Sequence, residues 1–344
     1  MPITRRGFTA ASGAAAMAQS ASNIRFGIDL FSIRSSGWTP FQYLDYCAKW
    51  KAKVVHFSEI RFIQSLEPEH LRKVRAHADA LGIEIELGMR SICPTSKAFD
   101  PQAGTAEQQL GRMIESAKVV GSKIVRCFLG TMADRGNGQP GSPTIEQNIE
   151  NAVKVLRAIR PRAAGEGVKI AIENHAGDMQ GRELKSLIEA AGPDFVGAVI
   201  DSGNPLWTLE DPHLTLDTLA PYVLSSHVRD SIVWRVPEGA AMRWVRMGEG
   251  NVDIDGFVRK YAERCPGKAL SMEIIVTPPR VFAFNKPEFW DGYRNVPAWQ
   301  FNRFLAIAET GKPSAAPPKP ADPAAQERED LEASIRYTHK LLGI

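Results

Sequence analysis

The chain has 344 residues, 44% hydrophobic and 24% charged, and its 42 Lys and Arg against 39 Asp and Glu leave a net charge of +3. This excludes a disordered chain, which pairs low hydrophobicity with large net charge, a collagen-like repeat, and a helical membrane protein, which needs apolar runs of about 18 residues or more. So small and diffuse a charge argues against a nucleic-acid or membrane partner and for a small molecule.

In chain order, Thr4-Arg5-Arg6-Gly7-Phe8-Thr9 precedes a small-residue stretch that ends in Ala16-Met17-Ala18. Residues 1–22 read as a twin-arginine export signal, which would deliver a folded enzyme to the periplasm. The alternative is an alanine-rich tail on a cytoplasmic protein.

Residues 23–310 repeat one pattern, a short β-branched run followed by a loop and a stretch of helical periodicity. Strands are expected at 24–30, 53–57, 83–88, 123–128, 168–172, 196–200, 222–226 and 269–273, with helices at 40–50, 68–81, 106–120, 145–164 and 181–191 among them. Such alternation implies parallel strands with right-handed crossovers. Eight units, and a first turn (Asp29 to Arg34) without the glycines of a dinucleotide site, favour a (β/α)8 barrel in a single domain over a doubly wound sheet. Cys47, Cys93, Cys127 and Cys265 stand too far apart for a zinc knuckle or dithiol and read as buried thiols. Residues 311–323 hold Pro313, Pro317, Pro318, Pro320 and Pro323, a linker composition that ends the core near Thr310. In 324–344, Leu331, Ile335, Thr338 and Leu342 recur at helical spacing, predicting an amphipathic extension helix that docks on the body or on a neighbouring subunit of a homo-oligomer.

Active sites of such barrels lie at the C-terminal ends of the strands. Strands five to eight end in Glu173, Asp201, His227 and Glu273. Three carboxylates and an imidazole converging there would repel without a cation, and an oxygen-rich set with one nitrogen suits Mn2+, Mg2+ or Co2+. One such residue alone is commonly a helix cap or a hydrogen-bonded core group; the set of four is a candidate metal site.

These four residues, with the loop Met247-Gly248-Glu249-Gly250-Asn251-Val252-Asp253, resemble the xylose-isomerase-like TIM barrels, which include sugar epimerases, inosose dehydratases, hydroxypyruvate isomerases and endonuclease IV. The resemblance implies one divalent metal on all four residues, with Glu173 and Glu273 also the acid/base pair and Asp201 and His227 purely ligands. The implied chemistry is enolisation of a small keto-sugar or polyol through an enediolate, giving an epimer or isomer; loss of carbon dioxide or hydroxide instead would give a lyase, such as a decarboxylase of a 3-oxo sugar acid like 3-oxo-isoapionate, or a keto-polyol dehydratase. A sugar-binding module that has lost chemistry is a third reading, opposed by retention of both glutamates.

Two departures narrow the resemblance. Asn204 stands where sugar epimerases often carry a His, and can bond a substrate hydroxyl but not shuttle a proton. Met242-Arg243-Trp244 replaces the Asp-x-His of the phosphodiester-cleaving branch, so its three-zinc cluster cannot form. His175 is expected to touch substrate or to orient Glu173. Arg90, Arg126 and Arg229 end strands three, four and seven; if all point inward the pocket is cationic and its substrate a sugar acid, whereas Arg229 could instead pair with Asp230 or Glu249. Of the aromatics, which fall largely in loops, Trp38 or Trp207 is expected near the site.

Overall fold

The computed structural model describes residues 24–136 and 141–344; the twin-arginine pattern lies outside them. Eight parallel strands close into a barrel: β1 (Arg25–Asp29), β2 (Val54–Phe57), β3 (Glu84–Ser91), β4 (Ile124–Phe128), β5 (Lys169–Glu173), β6 (Val196–Asp201), β7 (Val223–Val228) and β10 (Ala269–Met272), the last pairing with β1. Each lies within two or three residues of its expected position. The outer helices α1 (Pro40–Lys49), α2 (Pro68–Leu81), α3 (Ala106–Val120), α4 (Ile145–Glu166) and α5 (Gly181–Ala191) start at the expected residues, and Thr39, Thr105 and Thr144 close capping boxes with Gln42, Gln108 and Gln147. Two further helices, α6 (Pro212–Leu219) and α7 (Ile254–Arg264), follow β6 and β7.

Strand alternation divides the barrel into two chemistries. One parity, with Ile28, Val55, Leu87, Val125, Ile172, Ile200, Val228 and Met272, packs outward against the helices in the main apolar core. The other faces the barrel axis. A small apolar plug of Ile124, Ala171 and Val199 fills part of it, while Glu86, bonded by Ser225 at 2.6 Å, and then Asp29, His56, Arg126, Glu173, Asp201 and His227 are all buried.

The C-terminal segment differs from the expectation. Helix α9 (Pro323–Leu342) is no appendage on a core that stops near Thr310. It buries Leu331, Ile335 and Leu342 in the main core and bonds to α1 through Tyr46 and Glu332 and to α7 through Tyr337 and Asp255. It occupies the slot between the helices of the first and seventh units, so it is the eighth helix of the barrel. The sequence reading missed this because some fifty residues separate it from its strand. The Pro-rich stretch between them is without helix or strand, and it is pinned where it begins: a Cβ on Gly311 would lie 1.8 Å from the Val233 carbonyl oxygen.

Those intervening residues, with an insertion after β7, build a cap. Strands β8 (Asp230–Val236) and β9 (Gly239–Val245) form an antiparallel hairpin, β11 (Arg280–Phe282) pairs with β9, and α8 (Ala298–Thr310) packs on them. A second apolar cluster of Val233, Met242, Trp244, Phe282, Phe284 and Phe304 joins this cap to Leu206 and Leu209 from the loop after β6. Trp234 and Trp244 sit on the hairpin strands.

Ile335→Ala should cost about 2–5 kcal/mol and lower the single unfolding transition, because it opens a cavity in the core; an unchanged melting temperature would show α9 to be dispensable. Burial pushes Glu86 up to about 7 from 4.5, so the folded protein holds this proton more tightly than the unfolded chain and stability falls as pH rises through that interval. Glu86→Gln should therefore raise the urea midpoint at pH 8 and leave it nearly unchanged at or below pH 4.5.

Candidate active site

Glu173 is the last residue of β5 and Asp201 the last of β6; His227 sits one residue before the end of β7, and Glu273 directly follows β10. Register sets His227 opposite both Asp201 and Ser271, while Glu173 lies opposite Val199, two residues before Asp201, and Glu273 follows Ser271 by two. One ligand atom from each residue lies within 4.8 Å of all the others, and all four residues are at most 5% exposed. His227 Nδ1 stands 3.2 Å from Glu173 Oε2 and 3.3 Å from Glu273 Oε2, yet is buried with no hydrogen-bond partner. An orphaned imidazole nitrogen facing two carboxylates fits a divalent ion, and the three-oxygen, one-nitrogen donor set fits Mn2+ or Mg2+.

The far side of His227 is held as well. Its Nε2 is 3.1 Å from Asp29 Oδ2 and 2.8 Å from His56 Nδ1, two residues outside the expected ligand set. Burial, which alone would lower its pKa, is outweighed by Glu173 and Asp29, so His227 rises to about 9. The neighbouring His56 falls to about 3 through burial and the charge of His227, and is neutral. Nε2–H donates to the neutral His56 Nδ1 with the Asp29 carboxylate facing it, which fixes the ring so that Nδ1 is turned toward the two glutamates.

The arginines take three different places. Arg126 is buried and ion-paired with Glu173, which with His227 overrides burial and holds that carboxyl well below its usual range. Arg229 is paired with Asp201 and Glu273 rather than with Asp230 or Glu249. Asp201 is nevertheless raised by burial, against the pull of Arg229. Arg90 is exposed at the end of β3 and pairs with none of the four, so the expectation of three arginines pointing inward holds for Arg126 and Arg229 alone.

Asn204 serves the ligands: its backbone N–H donates to Asp201 Oδ1 at 2.8 Å and its Nδ2 to Glu173 Oε1 at 3.3 Å. Asn174, absent from the expected set, brackets Asp201 with bonds of 2.8 and 3.0 Å to its backbone. His175 does not bond Glu173. Its ring stacks on Phe128 at 3.8 Å and its Nδ1 bonds the Gly130 carbonyl at 2.9 Å, while burial lowers it to about 4 and keeps it neutral. With Nδ1–H donating, its Nε2 is an acceptor. Trp207 is near the site, stacked on Trp244, which lies over Arg229; Trp38 instead packs on Tyr43 and Tyr46 outside the barrel. The Gly-Glu-Gly loop is tied down by Asp230, which accepts from Gly248 and Gly250 at 3.0 and 2.9 Å.

Fold and site thus define a (β/α)8 barrel with a buried carboxylate and histidine cluster at its catalytic face. The model of the xylose isomerase-like TIM barrels matches residues 44–286, and the chain belongs to that family. It is 24% identical over 216 residues to the 3-oxo-isoapionate decarboxylase of Pectobacterium atrosepticum, covering 62% of this chain and 70% of that one. Among solved structures, a D-psicose 3-epimerase crystallised in the presence of D-fructose superposes with a TM-score of 0.60 at 14% identity, covering 93% of this chain and 100% of the other. The IOLI protein with a bound zinc atom gives 0.56 at 14% identity, over 93% and 98%. At these identities the two structures speak to the fold alone.

Asp29→Asn keeps an acceptor at His227 but removes the charge that orients it. Titration calorimetry with Mn2+ should show affinity lower by about 10–100-fold with the fold retained; undiminished affinity would deny Asp29 that role.

Proposed function

We propose that the protein is a divalent-metal-dependent isomerase or epimerase that enolises a small keto-sugar or polyol. The observation that carries this reading is the convergence of Glu173, Asp201, His227 and Glu273 on one buried point, with the two glutamates flanking His227 Nδ1. When bound there, Mn2+ or Mg2+ supplies Lewis acidity toward a substrate carbonyl and its neighbouring hydroxyl, which acidifies the C–H between them.

The chain's own residues do the rest. A carboxylate over the C–H takes the proton while the bonding electrons move into the carbonyl, and the proton returns to the opposite face or to the adjacent carbon. Glu273 is the better base. Glu173 is held in its ionised form by Arg126 and bonded by Asn204, whereas Glu273 is engaged by Arg229 alone besides its approach to His227. Burial of the four ligand residues, none more than 5% exposed, keeps bulk water from competing for the intermediate.

A second reading, decarboxylation of a 3-oxo sugar acid, is favoured by the similarity to 3-oxo-isoapionate decarboxylase. It uses the same electron sink: the C–C bond to the carboxylate breaks, its electrons enter the ketone, and a glutamic acid protonates the carbon.

Metal-loaded protein incubated in D2O with a panel of keto-sugars should exchange the C–H beside the carbonyl, and Glu273→Gln, assayed at saturating Mn2+ with its fold retained, should slow that exchange at least a hundredfold. Carbon dioxide release from 3-oxo acids, without exchange from any neutral ketose, would replace the first reading by the second. Undiminished exchange in the variant would remove Glu273 from the chemistry.

A further inference from the structure

Several polar atoms beside the four ligands have no partner. Arg229, 2% exposed, engages only Nη2 with Asp201 and Glu273; its Nε and Nη1 are buried and unbonded. Trp244, 8% exposed, lies with its ring centroid 4.4 Å from the Arg229 guanidinium carbon, and its indole Nε1 is also unbonded. Trp207 stacks on Trp244 at 4.8 Å with its Nε1 in the same state, and Arg280 covers the outer face of Trp207 at 4.3 Å. The result is a column running from the surface to the ligands in the order Arg280, Trp207, Trp244, Arg229.

Gly203 makes this packing feasible. A Cβ there would fall 2.6 Å from Arg229 Cγ and 2.9 Å from Trp244 Nε1, so only glycine lets guanidinium and indole approach the loop after β6 together. A buried donor without a partner is costly, and a fold retains several in one place where a bound group satisfies them. All the orphaned atoms of the column are donors, and one group already carries a positive charge. The complementary chemistry is an acceptor-only anion of small size.

We propose that the unengaged N–H groups of Arg229, together with Trp244 Nε1, bind a carboxylate of the substrate, making the substrate a keto-sugar acid rather than a neutral ketose. This inference rests on the keto-sugar reading of the same site and names its substrate class. The carboxylate is a recognition group, distinct from the carbon that loses its proton. Indole and guanidinium discriminate by different means: the guanidinium supplies charge, and the indole supplies a fixed direction on a ring sandwiched between Trp207 and Arg229.

The test uses Mn2+-loaded protein and matched pairs, D-fructuronate against D-fructose and D-tagaturonate against D-tagatose, with binding measured by titration calorimetry. The acid of at least one pair should bind ten times more tightly than its neutral counterpart or better. Trp244→Phe, which keeps the stack and removes the N–H, should reduce acid affinity about tenfold and leave neutral affinity unchanged, with metal content and melting temperature as in the wild type. Arg229→Lys, which keeps the charge but loses Nε and Nη1, should weaken acid binding more than neutral binding. Equal binding of acid and neutral sugar, binding of neither acid, or equal weakening of both classes in the variants would overturn the proposal. Neutral ketoses that exchange C–H in D2O without any preference for acids would overturn it and leave the enolising reading standing; acid binding that depends on Trp244, with no exchange, would do the reverse.

Discussion

Four buried carboxylates at strand ends inside one barrel, besides Glu86, are the constraint on which the rest of the structure depends. Asp29, Glu173, Asp201 and Glu273 are withdrawn from water, and each would be driven to protonate if nothing positive stood beside it. Arg126 is aimed at Glu173, Arg229 at Asp201 and Glu273, and His227 lies among Asp29, Glu173 and Glu273. Two guanidiniums offset half of the negative charge, and a divalent cation on the four strand-end residues would offset the remainder. The polar parity of the strands, which would otherwise be a poor way to fill a barrel, is therefore a balanced electrolyte wrapped in the apolar parity.

Much of this was legible in the sequence, for a physical reason. Parallel strands buried on both sides read as short β-branched runs, and helices carry their own caps and periodicity, so the eight strands and five of the helices were found close to their observed bounds. Strand ends are also where barrel chemistry sits, which made Glu173, Asp201, His227 and Glu273 visible without coordinates. Asp29 and His56 were given no role at the site because sequence places them near strand ends but does not show that they reach His227 across the barrel. Asp29 ends β1 and His56 lies one residue before the end of β2, so both stand at the level where the barrel's chemistry sits.

Other features were hidden because they depend on distant segments. The β8–β9 hairpin follows the His227 strand after a single residue, and its third strand comes from beyond β10, so no local window shows the cap as one unit. Arg90 and Arg126 look alike in sequence, each expected at the end of a strand, but Arg90 is the penultimate residue of β3 and Arg126 the middle residue of β4. A register shift between β3 and β4 separates them, leaving Arg90 exposed while Arg126 enters the barrel. Such outcomes are decided by register and bulges, which side-chain types alone do not encode.

The position of the eighth helix bears on how the molecule is made. Ribosomes release a chain from its N-terminus, yet the helix that completes the ring and covers one side of the first strand comes from residues 323–342. Until that stretch emerges, the outer faces of β1 and β10 keep apolar groups such as Ile28 and Met272 without their final cover. Closure of the barrel thus waits on residues 323–342, and the Pro-rich crossing is the tether that links the cap to the helix completing the ring.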